Sequence, residues 1–313
     1  MSLNSKKVAN VRYIFGPVKS RRFGLSLGID LSPEQKSCNF DCLYCELKKA
    51  KPVSKIKNEP DVEYIINQVK EYIKNFGYPD VITVTANGEP TLYSDLEKLI
   101  NKLNEIKGKS RTLILSNGST INNNEKQEIL KKFDMVKISL DAADQKTFRK
   151  VNRVLDGICV EDIIQGLIQF RKIFSGQLII EILLVRNVND SIENIQNLSK
   201  VLKEIKPDRI DIGTIDRPPA YNVRPLTDQE LIYLSGFFEG DNINVVTRGK
   251  DSIYENISLS EDELIQTFKR RPYTYEDIKS VFDKKTLNRI ENLIRKGKLR
   301  EIKSNQTVFI TPA

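Results

Sequence analysis

The sequence predicts an α/β fold: a partial (β/α)6 barrel of the TIM type over residues 10–250, followed by a small winged-helix-like domain over residues 260–313. Between about residues 60 and 250, short β-rich runs alternate with helical patterns. Such alternation implies parallel strands joined by right-handed crossovers, and the number of units suits a barrel. The alternation stops after about residue 255, which predicts the second domain. A doubly wound open sheet is the alternative for the first domain.

Each strand is indicated by a short apolar run, and Val81–Thr85 is wholly β-branched. The predicted strands are 25–31, 81–85, 112–116, 135–140, 178–185, 209–214 and 243–247. Helical spacing before Val81–Thr85 predicts a helix that stops at Gly77, and Ser94 with Glu97 predicts a capping box for the next helix. Further helical patterns cover 123–132, 161–174, 191–205 and 227–239.

The residues after 260 carry the signals of three helices and a hairpin. Ser260 with Glu263 and Thr274 with Asp277 predict two capped helices. The third helix and the two hairpin strands are expected at 284–297, 299–302 and 307–310. This order resembles a winged helix. Its basic third helix suits contact with phosphates, but winged helices also serve as protein-contact or lid modules.

The composition excludes several kinds of chemistry. The chain has no histidine, which removes Ser-His-Asp and Cys-His nucleophiles and His-ligated zinc or haem. The net charge of +8 favours an acidic partner, or it reflects a lysine-rich solvated surface. Residues 1–60 hold 12 Lys and Arg against 5 Asp and Glu, which favours an anionic substrate. A polar N-terminus and the absence of a long apolar stretch predict a soluble, cytoplasmic protein.

Three of the four cysteines, Cys38, Cys42 and Cys45, follow a predicted strand with the spacing C-x3-C-x2-C. Three thiolates on one short loop can hold three irons of a cubane cluster and leave the fourth iron open to a ligand. The alternatives are a structural zinc site with Cys159 as the fourth ligand, or incidental buried cysteines. Cys159 lies between Ile158 and Val160, so it is predicted to be a small core residue.

A second motif, Gly88-Glu89-Pro90, follows the strand that ends near Ala86. By itself it is consistent with an ordinary turn. With Tyr44 before the third cysteine, the loop resembles the C-x3-C-x-aromatic-C motif of the radical S-adenosylmethionine (SAM) superfamily. Gly88-Glu89-Pro90 resembles that superfamily's Gly-Gly-Glu-Pro motif, with Asn87 in place of the first glycine.

The resemblance implies a [4Fe–4S] cluster held by Cys38, Cys42 and Cys45, whose open iron is chelated by SAM. Reductive cleavage of SAM would give methionine and a 5′-deoxyadenosyl radical that abstracts hydrogen from a substrate. Tyr44 would pack near the adenine, and Gly88-Glu89-Pro90 would position the methionine end of SAM. A flavodoxin or ferredoxin is the expected electron donor.

Polar residues at later strand ends extend the candidate site. Ser116 and Asn117 end the third predicted strand, and Ser139 and Asp141 end the fourth. In the superfamily such positions often contact the ribose and carboxylate of SAM, although each also suits a turn. Glu181 lies inside an apolar run. Its carboxylate is expected to be ion-paired or hydrated in a barrel lumen, or to lie on a solvated strand face. No catalytic acid or base is predicted.

Residues 16–30 and 216–219 narrow the resemblance to a branch loosely grouped with wyosine-synthesis enzymes, which modify tRNA. Those enzymes are thought to use a second cluster with its own cysteines. Only Cys159 remains here, so the chain departs from them at that point. Arg21 and Arg22 are candidates for binding a substrate phosphate or carboxylate, or for structural ion pairs.

Two functions follow from the sequence. The first is a radical SAM enzyme that acts on a nucleic acid such as tRNA, a peptide or a small anionic molecule. The second is an iron or redox sensor that binds nucleic acid through the winged helix. Binding of SAM separates them, because a pure sensor has no use for it.

Overall fold

The computed structural model describes residues 11–20, 23–240, 242–246, 258–270, 272–304 and 307–313. The first sheet contains β1 (Ile14–Ser20), β2 (Gly24–Asp30), β3 (Val81–Thr85), β4 (Arg111–Ser116), β5 (Met135–Ser139), β6 (Gln177–Leu184), β7 (Arg209–Thr214) and β8 (Ile243–Val245). The accompanying helices are α1 (Val62–Phe76), α2 (Leu96–Ile106), α3 (Asn124–Leu130), α4 (Gln145–Asn152), α5 (Val160–Ile173), α6 (Ile192–Ile205) and α7 (Asp228–Ser235). Arg21 and Arg22 lie outside the described residues.

The strands of this sheet lie in the order of the chain, from β1 to β8. β2 to β8 are parallel, and β1 pairs with β2 in the antiparallel sense. A doubly wound sheet would reverse its strand order near the middle, so that alternative is wrong. The predicted α/β fold with a parallel sheet is confirmed, and its described parallel strands, β2 to β8, correspond to the seven predicted strands, one more than a (β/α)6 barrel has. Their carboxyl ends meet along one edge.

The pleat of the strands separates two apolar layers. Ile82 and Val84 belong to the main core with the helices, whereas Val81 packs with Leu113 and Met135 in a separate cluster. Successive side chains of a strand face opposite sides, so one side of the sheet packs on the helices and the other side carries the separate cluster. The seven predicted parallel strands agree with the structure to within two residues at each end.

Some elements differ from the prediction. β1 and α4 were not predicted. α2 has no Ser94–Glu97 capping box: Asp95 precedes it, and the Ser94 N–H donates to Glu59 at 3.0 Å. Glu97 instead pairs with Lys132 at 2.7 Å, so a tertiary contact replaces the local one. Gly77 does stop α1, with φ of 81°.

The C-terminal residues form their own hydrophobic cluster, which includes Leu264, Phe268, Ile290 and Leu293. The elements are α8 (Glu261–Arg270), β9 (Tyr273–Thr274), α9 (Tyr275–Val281), α10 (Lys284–Arg295), β10 (Leu299–Ser304) and β11 (Thr307–Pro312). β11 lies between β10 and β9. The three helices and the hairpin are confirmed, while the winged-helix assignment and the domain division stay predictions. No helix in the described part of the chain could cross a membrane.

Candidate active site

A cavity of about 580 Å³ opens at the carboxyl edge of the sheet. The ends of β2 to β7, the cysteine loop and α8 all contribute to its wall. The lining includes Asp30, Tyr44, Cys45, Asn87, Lys137, Glu181, Arg217 and Lys269. Its volume is that of a pocket for a small ligand or one unit of a polymer.

The cysteine loop connects β2 to α1, and backbone hydrogen bonds fix its shape. Cys45 N–H donates to Cys42 O at 3.1 Å, and Val53 N–H donates to Cys38 O at 2.8 Å. Leu43 N–H donates to Val151 O at 2.9 Å, so the end of α4 also supports the loop. All three thiols are free and partly buried.

Amide groups donate to two of the three sulfurs. Asn152 Nδ2 lies 3.4 Å from Cys42 Sγ, and Asn117 Nδ2 lies 3.7 Å from Cys38 Sγ. The backbone N–H of Phe40 also donates to Cys38 Sγ, at 3.4 Å. Sulfur accepts hydrogen bonds weakly when neutral and better when charged, so these donors suit thiolates.

The loop that follows β3 is joined to the cysteine loop at Ser37. Ser37 N–H donates to Asn87 O at 2.8 Å, and Glu89 N–H donates to Ser37 O at 2.9 Å. Gly88, with φ of 151°, lies against this bridge, where an added Cβ would stand 1.9 Å from Ser37 O. Only glycine permits this close approach of two backbones.

The Glu89 carboxylate organises the same loop. Glu89 is 1% exposed and accepts from Thr91 N–H, Thr91 Oγ1, Ser116 Oγ and Asn117 N–H at 2.6–3.0 Å. Burial raises the pKa of Glu89, and these donors oppose the rise. Ser116 and Asn117 therefore reach the site by fixing Glu89. The described lining of the cavity includes neither of them, nor Gly88-Glu89-Pro90.

Tyr44 and Asp141 form a second buried network. Tyr44 OH donates to Asp141 Oδ2 at 2.6 Å, Asn152 Nδ2 donates to the same oxygen at 2.8 Å, and Leu183 N–H donates to Asp141 Oδ1 at 2.9 Å. Burial raises the pKa of Asp141 to about 6. Asp141 thus ties the cysteine loop to β6 and α4. Ser139 is half-buried at the end of β5.

Charged side chains lie deeper in the lumen. Lys137 Nζ lies 2.6 Å from Glu181 Oε1 and 3.3 Å from Asp211 Oδ2, and Arg209 pairs with Asp211 at 3.1 Å. The predicted paired setting of Glu181 is confirmed. Lys137 was missed, although a charged residue within a β-branched strand is the same signal that singled out Glu181.

Comparison with known proteins decides the family. The model of the radical SAM superfamily matches residues 35–198, which include the cysteine loop and the Gly88-Glu89-Pro90 loop. The chain belongs to the radical SAM superfamily. A UPF0026 protein of Helicobacter pylori is 42% identical over 286 residues, covering 91% of this chain and 92% of that protein.

Two solved structures share the fold of this radical SAM enzyme. A TYW1 with a lysine-pyruvate adduct bound has a TM-score of 0.50 at 15% identity, covering 92% of this chain and 79% of that one. SuiB of Streptococcus suis bound to S-adenosylmethionine has a TM-score of 0.54 at 20% identity, covering 71% of this chain and 51% of that one.

The cofactors of a radical SAM enzyme are a [4Fe–4S] cluster and SAM, and the residues present fit both. Burial raises the pKa of Cys38 to about 12 and that of Cys42 well above its usual value. Such thiols need the positive charge of metal ions to become thiolates. On the SAM side, Asn87 lines the cavity, and its buried Oδ1 has no hydrogen-bond partner among the described residues. An ammonium group of a bound ligand would supply one.

Among the described residues, no three His, Cys, Asp or Glu side chains converge on a single metal ion, and the zinc alternative stays untested. Cysteines that bind three different irons need not converge. Cys159 is a half-buried N-cap of α5 rather than the core residue predicted, because it lies where the loop meets the helix.

Proposed function

We propose that the radical SAM enzyme holds its cluster on Cys38, Cys42 and Cys45 and abstracts hydrogen from an anionic substrate bound in the lumen. The observation that carries this proposal is the bridge between Ser37 and Gly88. It holds the cysteine loop against the Gly88-Glu89-Pro90 loop, and Cys45 and the adjacent Asn87 line one cavity.

Each residue has a specific task in this proposal. Gly88 and Pro90 shape the backbone that receives the methionine end of SAM, with Asn87 Oδ1 as acceptor for its amino group. Glu89, Ser116 and Asn117 lock that backbone. Tyr44 lines the cavity beside Cys45, where it would face the adenosyl group. Ser139 and Asp141 are proposed near the ribose and carboxylate, with Asp141 acting through Tyr44 and Asn152.

Cys38, Cys42 and Cys45 would hold the cluster, which would supply the one electron needed to cleave SAM reductively to methionine and a 5′-deoxyadenosyl group that removes hydrogen from a substrate C–H bond. The protein holds substrate and SAM in one enclosed cavity, which favours the substrate over solvent.

The proposal also assigns the substrate class, the fold of the C-terminal domain and the electron donor. The substrate is an anionic molecule or an RNA such as tRNA, as the resemblance of residues 16–30 and 216–219 to wyosine-synthesis enzymes suggests. The C-terminal domain is a winged helix. A flavodoxin or ferredoxin supplies the electron, and exposed Lys48, Lys49 and Lys51 beside the cysteine loop offer a basic surface for such an acidic donor.

Anaerobic reconstitution with iron and sulfide, then dithionite and SAM, tests the proposal. We expect 5′-deoxyadenosine and methionine in equal amounts, and neither product from protein stripped of iron. A reconstituted cluster that neither binds nor cleaves SAM would contradict the enzyme assignment and favour the sensor hypothesis.

Asn152 provides a second prediction, read from the reduction potential of the cluster. Asn152→Leu removes the amide that donates to Cys42 Sγ. Such a bond stabilises the reduced, more negative cluster, so its loss should lower the potential by roughly 20–60 mV. A redox titration followed by electron paramagnetic resonance measures the shift.

Asn104→Leu is the matched control for that titration. Asn104 and Asn152 each have a buried Oδ1 with no hydrogen-bond partner in the described part of the chain, but Asn104 Nδ2 donates to Lys132 O, outside the site. We expect an unchanged potential for this variant. Equal potentials in both variants would show that the Asn152 amide does not act on the cluster.

A further inference from the structure

The C-terminal helix α8 reaches the cavity of the barrel. Gln266 and Lys269 form part of the same wall as Cys45 and Glu181. A domain that served only to bind a distant partner would have no need to place side chains there. The contact between the two parts of the chain therefore bears on what the cavity accepts.

Specific contacts hold α8 in this position. α8 packs against β1, and Arg12 Nη2 lies 2.9 Å from Glu263 Oε1. Glu263 also accepts the Ser260 N–H at 2.9 Å, which fixes the start of the helix. Burial alone would raise the pKa of Glu263, but Ser260 and Arg12 hold it below its usual value. This carboxylate therefore stays charged and keeps α8 oriented.

The rim of the cavity is also joined to the C-terminal domain electrostatically. Arg217 pairs with Glu46 at 3.3 Å. Burial opposes its charge, yet Glu46, Asp216 and Asp277 hold the pKa of Arg217 above its usual value. Asp277 belongs to α9, so a carboxylate of the C-terminal domain also stabilises the positive charge of Arg217.

Most charged groups that line the cavity have a partner within the protein. Lys137 is paired with Glu181, and Arg217 with Glu46. Asp30 accepts the N–H groups of Asn87 and Ser32. In the described part of the chain, Lys269 has no ion pair and is exposed to the cavity mouth. Although the lining holds four carboxylates against three cations, Lys269 is the one of those cations that no described carboxylate pairs with.

We propose that Lys269 completes the substrate site by binding an anionic group, a phosphate or a carboxylate, at the mouth of the cavity. The inference rests on the proposed function and assigns the C-terminal domain a part in substrate recognition. A charge-assisted bond from an ammonium group would hold the substrate by one end and leave its other end beside Tyr44 and Cys45.

Binding of inorganic pyrophosphate, measured by isothermal titration calorimetry at low salt on the reconstituted protein, tests the inference. We expect one saturable site in the wild type. In Lys269→Ala, the dissociation constant for pyrophosphate should rise about tenfold or more. Lys285→Ala is the matched control, because Lys285 is an exposed lysine of α10 outside the cavity. A parallel titration with malonate distinguishes a carboxylate site from a phosphate site.

A second measurement uses the wild-type protein alone. Pyrophosphate should protect Lys269, but not Lys285, from acetylation by an amine reagent, as quantified by mass spectrometry. Absence of saturable binding of both anions, or equal binding by the two alanine variants, would overturn the inference. Neither readout depends on cleavage of SAM, so a failure here is distinguishable from a failure of the proposed function.

Discussion

Replacing Cys42 with alanine is expected to abolish formation of the [4Fe–4S] cluster and, with it, cleavage of SAM. Cys42 is the middle cysteine of the loop, and its sulfur accepts from Asn152 Nδ2. With only two protein thiolates, a second iron of the [4Fe–4S] cluster would have no cysteine ligand and would be exposed to solvent. Iron and sulfide content and the visible absorbance of the reconstituted protein measure the loss. Production of 5′-deoxyadenosine should fall to the background of the iron-free protein.

Cys159→Ala is the control that the chain offers. Cys159 is half-buried at the start of α5, and its side chain makes no capping hydrogen bond. Its loss should leave iron content and SAM cleavage unchanged, with a stability cost below about 1 kcal/mol. A Cys42→Ala protein that retains a full cluster, or a Cys159→Ala protein that loses it, would contradict the ligand assignment.

The barrel was largely readable from the sequence because its strands are buried on both faces. Val81–Thr85 and Arg209–Thr214 agree with the predicted bounds residue for residue. Strands of this kind form continuous apolar runs bounded by turns. β1 was missed because Gly16 and Pro17 interrupt it, and both residues usually mark loops.

Local signals failed where a distant side chain competes for the same group. Ser94 and Glu97 match a capping box, but Ser94 binds Glu59, and Glu97 binds Lys132 from the turn after α3. α4 has only eight residues and is mostly polar, so few apolar residues mark it in the sequence. Such elements depend on tertiary contacts, which sequence spacing does not reveal.

The candidate site likewise contains groups that sequence spacing identifies and contacts that only the structure shows. The spacing of Cys38, Cys42 and Cys45 indicated the cluster loop because one short segment supplies all three groups. Asn152 lies 110 residues from Cys42, so its contact with the sulfur could not be predicted from spacing. The position of Ser116 and Asn117 at a strand end predicts them at the site, and this assignment stays a prediction. Their shared contact with Glu89 needed the structure.

The bridge at Ser37 leads to the other large expected effect. Gly88→Ala would place a Cβ 1.9 Å from Ser37 O and 2.9 Å from Cys38 N. Both are backbone atoms, so no side chain can move aside, and the two loops must separate. A shift of about 1 Å in a positioning element can cost about a hundredfold in rate. We expect a loss of at least that size in 5′-deoxyadenosine formation, together with weaker SAM binding by equilibrium dialysis.

Gly77→Ala separates this steric effect from backbone strain. Gly77 has φ of 81° at the end of α1, but nothing lies within 4 Å of an added Cβ. Alanine there costs about 1–3 kcal/mol of folding free energy through strain alone, and SAM cleavage should persist. If Gly88→Ala bound and cleaved SAM like Gly77→Ala, the contact between the two loops would not be what positions SAM. If only Gly88→Ala fails while its circular dichroism stays native, the close approach at Ser37 is the feature on which the site depends.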